Sequence, residues 1–574
     1  MEDFLGDGWG WGGGSSPRTT PTPAAGEPPL TPLWAAYLAV LSLGLSSQVV
    51  TVVALVAAAV TRRWCRRTAA ADSGADRGGV ATVQEQVAAI VPCYLPNEAS
   101  IVCQTVEHLL HRLKSLERLD VHLVYNTPHE LPVEADLRAM AQGPLPEGRR
   151  LFVERVLGSR SKAENLNHAL PRVEAAYTAV YDADHHPDPE SLALAVGRLK
   201  ATGVDCVQGS TYIRAGGCTL AQGLTQAEFF VTYFVMLPAT EALTGTGFFG
   251  GANAVWLAPS LSKLRFDELA LTEDIDAFLR ASLDHGLAFS FLPECCSGEL
   301  LPAGPVALWR QRLRWTMGWD QATLRHAGRI WAARLPLRHR LGLLYIFVFR
   351  WFALLLVAIV AIFNAIGSLR HLAALAGWPA AREPEGEPLC IKRVQLCSGG
   401  LYALVVAWAL VQAVRHRPGL RLPCCVVLYF AALPAYVVFN SLLLMTSLAR
   451  LASGTTGTWV VTRRAGAAPE AAAPGGKAEP LLDRPSSSLS WALLALALMV
   501  QGALAGSIVG YLLAQRTVSR PLWGWVPFGI GATRITYTDG RVVAVGLAAG
   551  LTASVVLLLT VRALVRCHRA LARR

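Results

Sequence analysis

The chain alternates between long uncharged runs and stretches patterned like a folded α/β layer. Four runs reach the roughly 20 apolar residues that cross a bilayer: 33–60, 341–367, 490–514 and 542–561. A shorter one, "GLYALVVAWALVQAV" at 400–414, is a further candidate span. Between the first and second runs the period changes. "QVAAIVPCY" (86–94), "VHLVYN" (121–126), "TAVYDAD" (178–184) and "VDCVQGSTYI" (204–213) read as strands. "SIVCQTVEHLLHRL" (100–113), "SKAENLNHAL" (161–170) and "PESLALAVGRL" (189–199) repeat their apolar positions at helical spacing, with Ser100 as an N-cap for the first. Such alternation predicts an α/β layer with a mostly parallel sheet, whose ligands bind beyond the carboxyl ends of the strands.

Composition supports a polytopic membrane protein. Of the 574 residues 53% are hydrophobic and 16% charged, against about a quarter charged in soluble domains. The net charge of +11 is concentrated beside the apolar runs: Arg62, Arg63, Arg66 and Arg67; Arg415, Arg417 and Arg421; Arg562, Arg566, Arg569, Arg573 and Arg574. Basic residues stay on the cytoplasmic side, so the α/β segment is expected in the cytoplasm, and no nucleic-acid partner is expected. If 422–448 also crossed, Arg450, Arg463, Arg464 and the C-terminal arginines would all fall outside. This segment is therefore expected to be interfacial or re-entrant, broken at Pro434, leaving about five spans. No cleavable signal is expected, because the first 32 residues lack a basic end and an apolar core.

The resulting division is a disordered tail (1–32), a span (33–60), a cytoplasmic domain (80–305), interfacial helices (306–340), membrane and interfacial helices (341–449), a loop and linker (450–489) and C-terminal spans (490–574). Of the 12 cysteines, Cys390 and Cys397 are the pair placed outside the membrane, and either a disulfide or two thiols fits them.

Three segments carry chemistry. In "AVYDADHHPDP" an apolar strand ends on Asp182 and Asp184, which a strand would place on one face. Like charges there repel unless a cation joins them, and hard oxygen ligands suit Mg²⁺ or Mn²⁺. The plain alternative is a solvated turn. Adjacent His185 and His186 read as pocket wall rather than ligands. "LTEDIDAFLR" (271–280) opens a helix on Glu273 and Asp274, which suits either the helix dipole or a general base. "WRQRLRWTMGWDQ" (309–321) offers Arg312 and Arg314 as a pyrophosphate clamp and Trp315 as a sugar platform, or an interfacial helix, or both.

In this order, and ahead of membrane spans, "DAD", "TED" and "QRLRW" resemble the D-x-D, T-E-D and Q-x-x-R-W motifs of processive family 2 glycosyltransferases, the group of cellulose, chitin and hyaluronan synthases. "SKAENLNHAL" is similar to their donor-binding K-A-x-N-L-N segment, and "FFGGANAV" (248–255) to their acceptor segment. "WVVTRR" (459–464) resembles the gating loop of bacterial cellulose synthase. The resemblance implies a GT-A-type α/β domain joined to an α-helical transmembrane bundle. It implies a nucleotide-sugar donor, favoured as a UDP-sugar (UDP-glucose), with Mg²⁺ or Mn²⁺ on Asp182 and Asp184. Lys162, Asn165, Asn167, Gln311, Arg312, Arg314, Thr462 and Arg464 would hold the donor. Asp274, beside Glu273, would be the base, and Phe249, Gly250 and Trp315 would face the acceptor. The implied reaction is inverting polymerisation into a β-linked polysaccharide at the plasma membrane, with a growing polysaccharide acceptor and membrane lipids as partners. Single transfer to a lipid, a chitin- or hyaluronan-type product, and a transporter carrying an α/β domain are the alternatives. Two positions depart from the pattern: Leu95-Pro96 precedes Asn97-Glu98, and Asn126 stands where the family carries an aspartate.

Overall fold

The computed structural model describes residues 80–214, 219–352, 389–416 and 421–452, with positions between 38 and 60. Its centre is one eight-stranded sheet in the order β3-β2-β1-β4-β7-β6-β8-β5. In chain order the elements are β1 (Val83–Tyr94), α1 (Val102–Arg112), β2 (Leu116–Asn126), α2 (Val133–Gln142), β3 (Arg149–Arg155), α3 (Lys162–Ala169), β4 (Tyr177–Val180), β5 (His186–Pro187), α4 (Ser191–Thr202) and β6 (Cys206–Ile213). They continue with α5 (Leu220–Val231), a π-helical turn (Thr232–Met236), α6 (Leu237–Thr244), β7 (Ala254–Leu257), α7 (Glu273–Asp284), β8 (Phe289–Glu299), α8 (Pro305–Ala332) and α9 (Leu337–Leu344). Helices α10 (Leu389–His416), α11 (Arg421–Ala431) and α12 (Leu433–Ala452) follow.

The N-terminal half of the sheet is parallel, as the alternation predicts: β1 pairs in parallel with β2 and β4, and β2 with β3. The other half is mixed. β7 runs antiparallel between β4 and β6, β6 and β8 are parallel, and β5 is antiparallel to β8. The expectation of a mostly parallel sheet is corrected accordingly. A four-residue strand such as β7 has too little periodicity to announce its direction.

Two apolar layers cover the sheet. Val87, Ala89, Val91, Leu119, Val121 and Leu123 point to the side of α1 and α4. Ile90, Val124, Val180, Ala254 and Trp256 point to the side of α3, α7 and α8. The alternation of odd and even positions in β1 is the period of a strand buried on both faces. Helix α1 begins one residue later than expected: its N-cap position is Ile101, with no side-chain cap bond, so Ser100 does not cap it.

Among the described residues two helices, Arg393–His416 and Leu433–Leu451, are long and apolar enough to cross a membrane. The first extends the expected 400–414 run. The 422–448 run is broken, as Pro434 predicts, into α11 and α12. Pro434 sits in the first turn of α12, where its missing N–H costs nothing. Cys390 and Cys397 lie on the single helix α10. Seven residues of helix separate their backbones by ~10 Å, beyond the reach of a disulfide, so both are thiols. The runs 490–514 and 542–561 lie outside the described residues, as do Thr462 and Arg464.

Candidate active site

The carboxyl ends of β1, β2 and β4 open on one cleft. Strand β4 stops at Val180, sooner than the pattern predicts. Tyr181 N–H still bonds to Ile90, and then the chain turns, His185 N–H donating to the Asp182 carbonyl at 2.9 Å. Asp182 and Asp184 therefore do not share a strand face. Asp182 turns into the cleft, where Lys162 Nζ lies 2.6 Å from its Oδ1. Asp184 turns inward, fully buried, and its Oδ2 accepts the Leu300 N–H at 3.0 Å.

Lys162 occupies the first position of α3. Ser161 caps that helix by accepting the Glu164 N–H at 3.1 Å, and the Glu164 carboxylate accepts the Arg160 N–H at 2.6 Å. A cation at a helix N-terminus opposes the helix dipole, so its place needs other support. Asp182, and Glu273 at 3.4 Å, provide it. Burial works against the charge on Lys162, but Asp182, Glu273 and Asp274 outweigh it and hold its pKa above the ordinary lysine range.

Asp274 is half-buried beside this cluster, in the first turn of α7. Burial of its carboxyl and the neighbouring Glu273 push its pKa up to about 7, against the pull of Lys162, the Ile275 N–H and Arg314. A carboxylate poised there suits a general base at neutral pH.

The turn 250–253 closes the cleft against Asp274. Gly251 has φ +86°, and a Cβ there would stand 2.5 Å from Asp274 Oδ2. The turn is held from below by two buried amides. Gln208 accepts the Gly250 N–H at 2.8 Å and donates to the Ala252 carbonyl at 2.8 Å. Asn253, at φ +51°, donates to the carbonyls of Ser210 and Cys295 at 2.8 and 2.9 Å. Of the acceptor residues expected here, Gly250 is in the turn, but Phe249 is not at the cleft surface. It is fully buried, edge-on to Trp256 at 5.0 Å. Phe248 instead stacks on Trp319 of α8 at 5.3 Å.

Helix α8 is fastened to α7 and its leading loop. Gln321 accepts the Leu271 N–H at 3.0 Å, and Gly318 faces Thr272. Asp276 is the node between the helices: Arg280, Arg325 and His326 lie 2.6, 2.7 and 2.9 Å from its carboxylate. Burial alone would raise its pKa, but His326 and Arg325 hold it well below the usual carboxylate range. Gln311 is buried on α8 and Arg314 lies within electrostatic reach of Asp274. Arg312 pairs with Glu228 at 3.0 Å and stacks over Trp315 at 4.7 Å.

Two other expected donor contacts are used inside the protein. Asn167 bonds the backbone of Phe266 through both amide atoms, at 2.9 and 3.0 Å. Asn165 donates to the Cys93 carbonyl at 3.2 Å and to Asn126 at 2.9 Å. His185 uses both ring nitrogens, on Ser297 at 3.0 Å and Glu299 at 3.3 Å, and His186 stacks on His108. Neither histidine points to the cleft as a ligand. Gln208 and Glu228 lie in no sequence motif, and Asn253 and Gly318 lie within the segments 248–255 and 309–321 without being singled out there. Asn253 alone had a signal, since asparagine tolerates a left-handed backbone.

Among the described residues no cluster of three acidic, histidine or cysteine side chains could cage a metal. Asp182 is the accessible carboxylate for a hard ion that takes its remaining ligands from phosphate oxygens and water, while Asp184 is turned inward.

Residues 85–318 match the family described as glycosyltransferase like family 2. Two curated relatives are similar to it: glucomannan 4-beta-mannosyltransferase 7 of Arabidopsis thaliana, 26% identical over 38% of this chain, and glucomannan 4-beta-mannosyltransferase 1 of Oryza sativa subsp. japonica, 27% identical over 27%. The alignments span 44% and 30% of those relatives, less than half of either. A mannosyltransferase from Pyrobaculum calidifontis, solved with GDP-Man and Mn²⁺, superposes with a TM-score of 0.38 at 16% identity, covering 71% of this chain and 99% of its own.

Proposed function

We propose that the chain is a membrane-embedded inverting glycosyltransferase that moves a hexose from a nucleotide sugar to a hydroxyl of a β-linked polysaccharide. The reading rests on one observation above all: Asp274, with its pKa near 7, lies beside Lys162, Asp182 and Glu273 at the strand ends of a glycosyltransferase family 2 domain.

In this reading Asp274 takes the proton of the acceptor hydroxyl as its oxygen attacks the anomeric carbon. The bond to the diphosphate breaks on the opposite side, so an α-linked donor gives a β-linked product. Lys162 and Arg314 place positive charge where the leaving diphosphate gathers negative charge. A divalent ion held by Asp182 would supply further charge to that diphosphate. Trp315 offers a flat apolar face to the acceptor sugar.

UDP-glucose is the donor that the motif resemblance favours. The mannosyltransferase relatives add a mannosyl donor to be tested. Polymerisation with export through the membrane is the finer form of this reading, and α10 and α12, which are long and apolar enough to span, support it. The test is incubation of the purified full chain in nanodiscs with radiolabelled UDP-glucose, UDP-N-acetylglucosamine or GDP-mannose and Mn²⁺ or Mg²⁺. Label in high-molecular-weight glycan, absent with Asp274→Asn, supports the proposal and names the sugar. Label confined to lipid extracts favours single transfer, and no transfer from any donor counts against the enzyme reading.

A further inference from the structure

Arg312 reads in the sequence as half of a pyrophosphate clamp, yet its guanidinium is already committed. Its side chain is 14% exposed, and Nη2 donates to Glu228 Oε2 at 3.0 Å. Its charge lies over the ring of Phe229 at 5.3 Å and over that of Trp315 at 4.7 Å. Glu228 is equally enclosed, at 12% exposure, and its second oxygen accepts the Tyr436 hydroxyl at 2.5 Å. These four residues come from three helices: Glu228 from α5, Arg312 and Trp315 from α8, and Tyr436 from α12.

The order of contacts is directional. Tyr436 holds one carboxylate oxygen of Glu228, and the other oxygen holds Arg312. The planar guanidinium then supports the indole of Trp315, the geometry in which arginine serves aromatic rings best. Around it, Ile213, Phe229 and Leu301 form a small apolar cluster against which Trp315 and Tyr233 pack. Glu228 stands one turn ahead of the π-helical turn Thr232–Met236. Irregular turns of this kind recur where a helix must present side chains to a functional site.

We propose that Tyr436, Glu228 and Arg312 form a positioning relay that fixes the Trp315 indole, and that Arg312 is not a ligand of the diphosphate. The relay makes the position of Trp315 depend on α12, a helix long and apolar enough to span a membrane. Its consequence for acceptor binding rests on the proposed reading of Trp315 as the sugar platform. The coupling itself does not.

The test has two arms. The full chain is labelled with 5-fluorotryptophan in nanodiscs, and the Trp315 resonance is assigned by its loss in Trp315→Phe. Tyr436→Phe, which removes one hydroxyl, and Glu228→Gln should each move that resonance, while buried Trp256 stays in place. A Trp315 resonance unmoved by both variants overturns the relay, whether or not the chain transfers sugar. In the kinetic arm, with whichever donor is transferred and cellohexaose or mannohexaose as acceptor, both variants should raise acceptor KM about five- to tenfold and leave donor KM within roughly twofold. Arg312→Lys should behave in the same way. If Arg312→Lys raises donor KM and leaves acceptor KM unchanged, Arg312 binds the diphosphate and the proposal fails. A wild-type chain that transfers nothing removes the functional reading, and the fluorine spectrum still decides the relay.

Discussion

Gly318 of α8 lies directly against Thr272, the residue that leads into the base-bearing helix: a Cβ at 318 would stand 2.3 Å from Thr272 Oγ1. The Thr272 hydroxyl is buried without a hydrogen-bond partner, so the contact is one of packing alone. Together with the Leu271–Gln321 bond, it holds the Thr-Glu-Asp loop against α8.

Gly318→Ala should therefore lower transfer activity by displacing the loop, more than a helical glycine-to-alanine change does where there is room, as at Gly399. Thr272→Ala, which removes the two nearest atoms and leaves Cβ at 2.8 Å, should restore part of the loss in the double variant. Initial rates for the wild type, both single variants and the double variant give the coupling directly. Additive losses would refute it.

Asp274→Asn should lower kcat by about 10²–10⁴-fold, the usual worth of a positioned base, with little change in nucleotide affinity. The raised pKa fixes the sign of the pH dependence. The active carboxylate form dominates above about 7, so kcat/KM should fall as pH drops through that value. A rate independent of pH from about 5.5 to about 8 would remove Asp274 from the role of base.

Gly251→Ala should be more damaging than its size suggests. The residue has φ +86° and its α-carbon faces the Asp274 carboxylate. Alanine meets both backbone strain, about 1–2 kcal/mol, and a side-chain clash. The expected outcome is loss of transfer with a folded protein, checked by comparing activity with the melting temperature.

Asp276→Ala should destabilise rather than inactivate selectively. Removing the carboxylate leaves Arg280, Arg325 and His326 facing one another, and breaking such a buried set costs about 3–5 kcal/mol. Because the Asp276 pKa is depressed, its contribution is present at neutral pH. It is lost as pH falls below the unfolded value of about 3.9 and on through the folded one. Melting curves at pH 7 and near pH 3.5, roughly, should show the gap between wild type and variant narrowing in acid.

Much of the domain was legible because strands buried on both faces repeat apolar residues without interruption, as β1 does from Val87 to Val91. The helices α3 and α4 were legible from their spacing, and the site motifs from residue type. What escaped was set by contacts distant in sequence. The strand direction of β7 depends on neighbours on both sides. Whether Asp182 and Asp184 share a face depends on where β4 stops, and the ladder to Ile90 decides that. Phe248 and Phe249 are indistinguishable in a sequence, yet one stacks on α8 and the other fills the core. Arg312 looked available for phosphate because Glu228 lies 84 residues away.

Asn126, the departure from the family aspartate, belongs to a closed ring of hydrogen bonds. Ser159 Oγ donates to Asn165 Oδ1 at 2.7 Å, Asn165 Nδ2 to Asn126 Oδ1 at 2.9 Å, and Asn126 Nδ2 to the Ser159 carbonyl at 3.1 Å. An aspartate at 126 would keep the middle bond but set a carboxylate oxygen against that carbonyl. Aspartate is therefore disfavoured at 126 for as long as the Ser159 carbonyl keeps this place, so the choice of amide over acid is set by a residue that no motif includes.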